Sequence, residues 1–389
     1  MTDYAQASKY WRDPFATALK ERKPYRQYDG FADSAPTVRF DDAQLLKSEE
    51  YRAFLDVYLD MQAKHALEHK AGTYPDNYFS ACRLHLALAF PDAHVRSHAL
   101  CRIMRDHLAT FGPAGCSSLM KTFSEHCIDG LQRTEIITLY DEALREHADH
   151  EILAYRVTSR GSLTAHVFVP KEDSNSAPRP AICFFFGGGW YIGMPDQFFN
   201  FCRYFAARGF VAVSFEYSTK GRWNASPLDA IQDTRCAIRW LRRHADQWRI
   251  DPACVNAVGW SAGGHLVASL PMITAREEPN ADTAISARPD AVILLAACID
   301  PTADNWFSYV LGGACDPGLL SPLHNIRSGL PPYLAFLGTR DEFIPMATTR
   351  EFVQGMTAAG NRCELVVAEG LNHGSFMNDE TCERIRAFL

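Results

Sequence analysis

Four short stretches of this sequence carry residue types that could do chemistry together. In Gly259-Trp260-Ser261-Ala262-Gly263 a serine sits among small residues, after an apolar run at 254–258 and before an Ala-rich segment that opens at Ala262. A serine on a tight strand-to-helix turn is held in a strained conformation with its hydroxyl exposed, and only small neighbours tolerate such a turn. The helix that follows offers unpaired N–H groups at its start. About 75 residues earlier, Phe186-Gly187-Gly188-Gly189-Trp190 follows another apolar run, at the separation expected of an oxyanion loop. Three consecutive glycines let successive backbone N–H groups turn toward one point, as acyl transfer requires when a carbonyl oxygen becomes an oxyanion. Either stretch alone could be a plain glycine turn; together they make that reading weak.

A serine nucleophile needs a base and an acid. Leu337-Gly338-Thr339-Arg340-Asp341-Glu342 puts a carboxylate just after an apolar run, and Gly370-Leu371-Asn372-His373-Gly374 puts a histidine just after the next one. The chain order Ser261, Asp341, His373 suits a serine triad whose members converge from the ends of different strands. In that arrangement His373 takes the serine proton and later returns it to the leaving group. Asp341 orients the imidazole and stabilises its cation. Glu342 is the reserve acid.

These residues need a scaffold. Short apolar runs at 181–186, 211–215, 254–258, 291–298, 333–337 and 363–367 alternate with helical segments at 197–208, 227–247, 262–275, 345–359 and 373–389. That pattern predicts an α/β fold with a mostly parallel sheet covered on both faces. Alternating residues at 152–157 and 163–169, joined by a turn at Gly161, read as an antiparallel hairpin that makes the sheet mixed. Before them the texture is helical. Asp41 or Asp42 can cap a helix running to about residue 70, with Leu45, Tyr51, Phe54, Leu55, Tyr58 and Leu59 on one face. Further helices fit 78–89, 93–111 and 116–129. Residues 1–40 read as an extended arm. The expected organisation is a helical N-terminal region, 1–130, acting as a cap or an oligomerisation module, and a catalytic α/β domain, 131–389.

From about residue 150 onward the chain resembles the α/β-hydrolase superfamily, and within it the hormone-sensitive-lipase-like and feruloyl-esterase-like carboxylesterases. The likeness rests on the Gly-Gly-Gly-Trp run, on Gly-Trp-Ser261-Ala-Gly-Gly-His-Leu, on Pro331-Pro-Tyr-Leu-Ala-Phe-Leu-Gly-Thr-Arg-Asp341 and on Asn372-His373-Gly374. It implies an α/β-hydrolase fold and oxyanion donors at the backbone N–H groups of Gly188, Gly189 and Ala262. The sequence departs from the family in two places. Phe186 stands where the loop usually begins with a histidine that steadies it, so this loop must be held another way. Trp260 stands where the lipase-like branch usually has a carboxylate, and its bulk can wall the pocket. Among the loop-borne aromatics, Trp190, Trp260 and Trp306 are the expected substrate contacts. The segment 303–322 follows a strand end, where hydrolases insert lids.

The remaining signals are weaker. His65-Ala-Leu-Glu68-His69 spaces two histidines as zinc ligands on one helix face, but the stretch is polar and no third ligand can be placed. A solvated face is the expectation there, and at His94/His98 and His147/His150. His265, just after the serine turn, reads as structural. The reaction calls for no metal and no cofactor. The 389 residues carry 39 Lys+Arg against 46 Asp+Glu, a formal net charge of −7. So mild an acidity gives no footprint for nucleic acid or an anionic membrane. With 47% hydrophobic and 22% charged residues the chain is not of the disordered class. Twelve cysteines, none in a C-x-x-C pair, suit reduced packing thiols in a cytoplasmic protein. The first residues show no secretory signal pattern.

The leading expectation is a serine hydrolase that cleaves a small-molecule carboxylic ester through an acyl-enzyme, with a homo-oligomer possible. The alternatives are an amidase or formamidase-type hydrolase, an acyltransferase on the same site, and a non-catalytic ligand-binding receptor. The receptor reading is disfavoured because His373 is retained.

Overall fold

A computed structural model of the chain describes residues 39–68, 78–111, 113, 116–146, 149–158, 161–171, 177–273, 277, 281–302 and 304–389. They fall into two compact units. One comprises the described residues up to 146 with 161 and 221–224, and the other the remaining described residues from 149 onward.

The first unit is helical. Asp42 accepts a hydrogen bond from the Gln44 N–H, but it caps only a short 3-10 turn, Ala43–Lys47. The α-helix proper, α1 (Glu49–Glu68), starts after Ser48 and carries two glutamates in its first turn, where the helix dipole favours negative charge. It is followed by α2 (Tyr78–Leu88), α3 (Ala93–Phe111), α4 (Ser117–His126) and α5 (Gly130–Glu146). Tyr51, Phe54, Leu55 and Leu59 of α1 are buried against Val95, Leu100, Ile103 and Met104 of α3 and Phe123 of α4 in one apolar core. Each such side chain contributes about 1.5–3 kcal/mol on burial. Helix α5 was not expected. Ile136 on it is buried while Leu131, Ile137 and Leu144 are exposed, so its apolar residues form no single stripe from which periodicity could reveal it. Its start is fixed instead by Asp129, whose Oδ1 accepts from the N–H groups of Leu131 and Gln132. The division expected at residue 130 therefore coincides with the first residue of a helix that belongs to the first unit.

The second unit is built on a sheet whose strands are β1 (Glu151–Thr158), β2 (Gly161–Phe168), β3 (Arg179–Phe185), β4 (Val211–Phe215), β5 (Ile250–Trp260), β6 (Val292–Leu295), β7 (Tyr333–Gly338) and β8 (Cys363–Ala368). Among the described residues their order is β1-β2-β4-β3-β5-β6-β7-β8. β2 runs antiparallel to β4, and the pairs from β4 through β3, β5, β6 and β7 to β8 are parallel. Strands β4, β6 and β7 are buried along their whole length, as a parallel sheet requires. The flanking helices are α6 (Phe199–Ala206), α7 (Pro227–Arg243), α8 (Ala262–Met272), α9 (Asn305–Leu311), α10 (Met346–Ala358) and α11 (Asp379–Phe388). Helix α7 opens with a Ser226–Asp229 capping box and Pro227 in its first turn, two start signals that reinforce each other. The fold is the α/β-hydrolase fold with a mixed, mostly parallel sheet.

Two differences from the sequence reading bear on the site. The last helix begins at Asp379, where Asn378 caps it by accepting from the Thr381 N–H, which leaves His373 in a loop. Within the segment expected to be a lid, Asp304 caps α9 by accepting from the N–H groups of Trp306 and Phe307. The side chains of His65 and Glu68, all of His69, His147, Ala303 and residues 1–38 of the arm lie outside the described residues. Among the described residues no group of three His, Cys, Asp or Glu is placed to hold a metal ion. None of their helices is long and apolar enough to cross a membrane.

Candidate active site

The site lies at the carboxyl ends of β5, β7 and β8. Ser261 directly follows β5 and adopts φ 55° and ψ −115°, a region in which a side chain is strained. The turn is held by backbone on both sides. The Ser261 N–H donates to the Leu295 carbonyl at 2.9 Å, and its own carbonyl accepts from the His265 N–H at 3.1 Å. Gly263 is required by close approach, because a Cβ there would stand 2.1 Å from the Phe185 carbonyl oxygen. Helix α8 is thereby packed against the end of β3, which carries the glycine loop.

Sequence predicted Ser261, Asp341 and His373 to converge, and the structure brings them together. The Oγ of Ser261 lies 2.9 Å from His373 Nε2. His373 Nδ1 lies 2.9 Å from Asp341 Oδ2 and 3.1 Å from Oδ1. With Nδ1 donating to the carboxylate, Nε2 is left to accept the serine proton. Asp341 Oδ1 also accepts from the N–H groups of Phe343 at 2.9 Å and Ile344 at 2.8 Å. Burial raises the Asp341 pKa, but the bonds from His373 and the two backbone N–H groups outweigh it and hold the carboxyl below its ordinary value. It is a carboxylate at neutral pH. Among the described residues Glu342, the reserve acid, meets only the His373 backbone N–H, at 3.4 Å, and not the ring.

The glycine loop lies against the nucleophile. A Cβ built on Gly187 would fall 2.7 Å from the Trp260 ring and 3.2 Å from Ser261 Cβ. Gly188 has φ +137°, a conformation that L side chains rarely adopt, and a Cβ there would strike the Ile192 carbonyl oxygen at 2.1 Å. The N–H groups of Gly188, Gly189 and Ala262 donate to nothing among the described residues, although Gly188 and Gly189 are only half-buried and Ala262 is buried.

The three tryptophans play different parts. Trp190 is 3% exposed, its ring edge-on to Phe307 at 4.8 Å and to His265 at 5.3 Å. That packing leaves almost no surface for a ligand, so Trp190 supports the loop from behind, contrary to the expected contact role. Trp260 and Trp306 are half-buried, and each donates its indole N–H inside the site. Trp260 donates to the His373 carbonyl at 3.1 Å and Trp306 to the Gly189 carbonyl at 3.0 Å. His265 is structural, as expected. It is fully buried and its Nε2 bonds to the Leu320 carbonyl at 2.7 Å. Burial depresses its pKa to about 4 against the weaker opposing pull of that bond.

With this geometry in hand the likeness to known proteins can be read. A family model described as BD-FAE matches residues 166–302. The solved structure of an esterase from the Planctomycetes species Thermogutta terrifontis superposes with a TM-score of 0.59 at 38% identity, covering 63% of this chain and 92% of that one. The chain belongs to the α/β-hydrolase carboxylesterases. A structure of Thermogutta terrifontis esterase 2 phosphorylated by paraoxon matches at the same identity and TM-score, covering 62% of this chain and 94% of that one. Esterase LipC of Mycobacterium tuberculosis is 28% identical over 230 residues, which is 52% of this chain and 55% of its own length. The chain thus spans about half the length of the curated relatives it matches.

In this carboxylesterase one residue beside the site escaped the sequence reading. Gln197, in the 3-10 turn Pro195–Phe198, accepts from the Gly187 N–H through Oε1 at 3.1 Å and donates through Nε2 to the Gly187 carbonyl at 3.4 Å. The signal for it was indirect. Phe186 in place of histidine implied another holder for the loop, and the next polar side chains after the glycines were the places to look.

Proposed function

We propose that this carboxylesterase cleaves a small-molecule carboxylic ester by a two-step acyl transfer on Ser261. The Ser261 oxygen attacks the ester carbonyl while His373 Nε2 takes its proton. The negative charge that develops on the carbonyl oxygen is met by the N–H groups of Gly188, Gly189 and Ala262. His373, now a cation held by the Asp341 carboxylate, gives its proton to the departing alcohol and leaves an acyl-serine. Water then enters, loses a proton to His373, and releases the acid by the reverse sequence. No metal or cofactor takes part. We assign the chemistry to the sheet-based residues and the role of cap or oligomerisation module to the helical ones, in a cytoplasmic protein whose twelve thiols stay reduced.

The observation that carries this reading is the unbroken chain from Ser261 Oγ through His373 to Asp341, each link at 2.9 Å. The experiment is hydrolysis of p-nitrophenyl esters of graded acyl length by the full chain and by Ser261→Ala. Loss of the nucleophile lowers kcat by about 10,000-fold or more, and a fluorophosphonate labels the wild type but not the variant. Full esterase activity in Ser261→Ala would sink the proposal, and faster turnover of matched anilides than of aryl esters would move it to an amidase.

A further inference from the structure

Five consecutive carbonyls of the glycine loop accept hydrogen bonds. The Phe186 carbonyl accepts from the Tyr217 hydroxyl at 2.9 Å, and that of Gly187 from Gln197 Nε2 at 3.4 Å. The Gly188 carbonyl accepts from the N–H groups of Tyr191 and Ile192, both at 3.1 Å. The Gly189 carbonyl accepts from the Trp306 indole at 3.0 Å, and that of Trp190 from the Lys220 N–H at 2.8 Å. A trans peptide is planar, so its C=O and the N–H of the next residue point opposite ways. Anchoring the Gly187 carbonyl therefore aims the Gly188 N–H, and anchoring the Gly188 carbonyl aims the Gly189 N–H. The second anchor is backbone and belongs to the turn itself. The first comes from one side chain, and it is the only one of the five whose donor also grips the N–H of the same residue.

We propose that Gln197 is the positioning residue of the oxyanion loop: its amide holds Gly187 from both sides and so directs the Gly188 N–H at the carbonyl oxygen of the substrate. This rests on the function proposed above. The amide is well placed to act as a rigid clamp, because the first and last residues of its turn, Pro195 and Phe198, are both held. The Pro195 carbonyl accepts from the Ser214 hydroxyl at 2.7 Å, and the Phe198 ring stacks on Phe184 at 5.1 Å. The clamp does the work that Phe186 cannot do. The Phe186 side chain carries no hydrogen-bonding group and instead stacks on Tyr217 at 4.1 Å. Gln197 touches no reacting atom, so its effect appears in the transition state and not in substrate affinity.

The test uses the full chain as wild type, Ser261→Ala, Gln197→Met and Gln197→Glu on one p-nitrophenyl ester. Gln197→Met keeps the side-chain length and loses both bonds. Because removing an oxyanion donor outright costs about 100- to 1,000-fold, misaiming one should lower kcat by about 10- to 100-fold. KM should stay within about threefold. Gln197→Glu accepts from the Gly187 N–H in either protonation state but donates to the Gly187 carbonyl only when protonated. Its kcat relative to wild type should therefore rise as the pH is lowered from about 8 to about 5, while the Gln197→Met ratio stays flat. A Gln197→Met kcat within about twofold of wild type, or a Gln197→Glu ratio that does not move with pH, overturns the proposal. The second readout decides alone if the methionine variant does not fold. If Ser261→Ala keeps its activity, the reading of the whole site falls and the clamp with it. If Ser261→Ala is inactive and the Gln197 variants match wild type, only the clamp falls.

Discussion

Replacing Asp341 by asparagine is the sharpest perturbation of the triad, because it changes a proton's position and almost nothing else. Asp341 Oδ1 accepts from the N–H groups of Phe343 and Ile344 at 2.9 and 2.8 Å. An asparagine keeps its carbonyl oxygen there, since the two backbone donors need an acceptor. Its NH2 group must then occupy the Oδ2 position, 2.9 Å from His373 Nδ1. Two donors cannot face each other, so Nδ1 becomes the acceptor and the ring proton moves to Nε2. That nitrogen lies 2.9 Å from Ser261 Oγ and can no longer accept the serine proton. The same exchange in a serine-protease triad costs about 10,000-fold in kcat, or about 5.5 kcal/mol at 1.36 kcal/mol per tenfold. The assay is steady-state hydrolysis of a p-nitrophenyl ester by Asp341→Asn and by Glu342→Gln, with circular dichroism to show that each is folded. Among the described residues Glu342 reaches only the His373 backbone N–H, at 3.4 Å, so Glu342→Gln should stay within about threefold of wild type. An Asp341→Asn enzyme that keeps more than about a tenth of its kcat, beside a Glu342→Gln enzyme that loses more, would refute the assignment and give the acid's role to Glu342.

Two further outcomes follow from the surroundings of the triad. Trp260→Phe keeps an aromatic ring beside the base but removes the indole N–H that holds the His373 carbonyl. One hydrogen bond at about 1 kcal/mol puts the loss in kcat at about three- to tenfold, and an unchanged kcat would show that the bond does not position His373. His265 is buried and neutral with a pKa pushed down to about 4, so between about pH 6.5 and about pH 4 the unfolded chain takes up a proton that the folded one refuses. Stability from this group is complete above that window and falls as the pH drops through it, by on the order of 3 kcal/mol. The thermal midpoint of wild type should decline more steeply across that range than that of His265→Gln, and parallel declines would contradict the assignment.

The legible part of this protein was the part written in unbroken apolar runs. Residues 211–215 were read as a strand and form β4, buried at all five positions. The strand reading also fixed where each loop begins, and with it Ser261, Asp341 and His373. Helix α5 was hidden because Leu131, Ile137 and Leu144 are exposed around Ile136, so no amphipathic stripe marks it. The late start of α11 was hidden because the Asn378 cap is a side-chain choice that competes with a helical pattern running through residues 373–378. Trp190 was misjudged because an aromatic beside a glycine loop suits a pocket wall and a packed support equally well. Only the contacts to Phe307 and His265 separate the two. Gln197 carries no pattern at all, since a single amide in a polar turn is visible only through the bonds it makes.

The accuracy of the site comes from how its loops are stitched, and the stitching is uneven. The acid and base loops are tied directly to each other. The Thr339 N–H donates to the Ala368 carbonyl and the Arg340 N–H to the Leu371 carbonyl, both at 3.0 Å. A Cβ on Gly338 would collide with that same Leu371 carbonyl at 2.1 Å. The loops that carry Asp341 and His373 are therefore anchored to each other. The nucleophile is tied to a different neighbour, the end of β6, through the Leu295 carbonyl, and the glycine loop to the turn that carries Gln197. The gap between Ser261 and His373 is thus the junction of two separately anchored parts. Trp260 bridges it, with its backbone in β5 beside the serine and its indole on the His373 carbonyl. Proton transfer at 2.9 Å tolerates little drift, so the side chains that join these parts, Trp260 and Gln197, are where a substitution outside the triad should weigh most on the reaction.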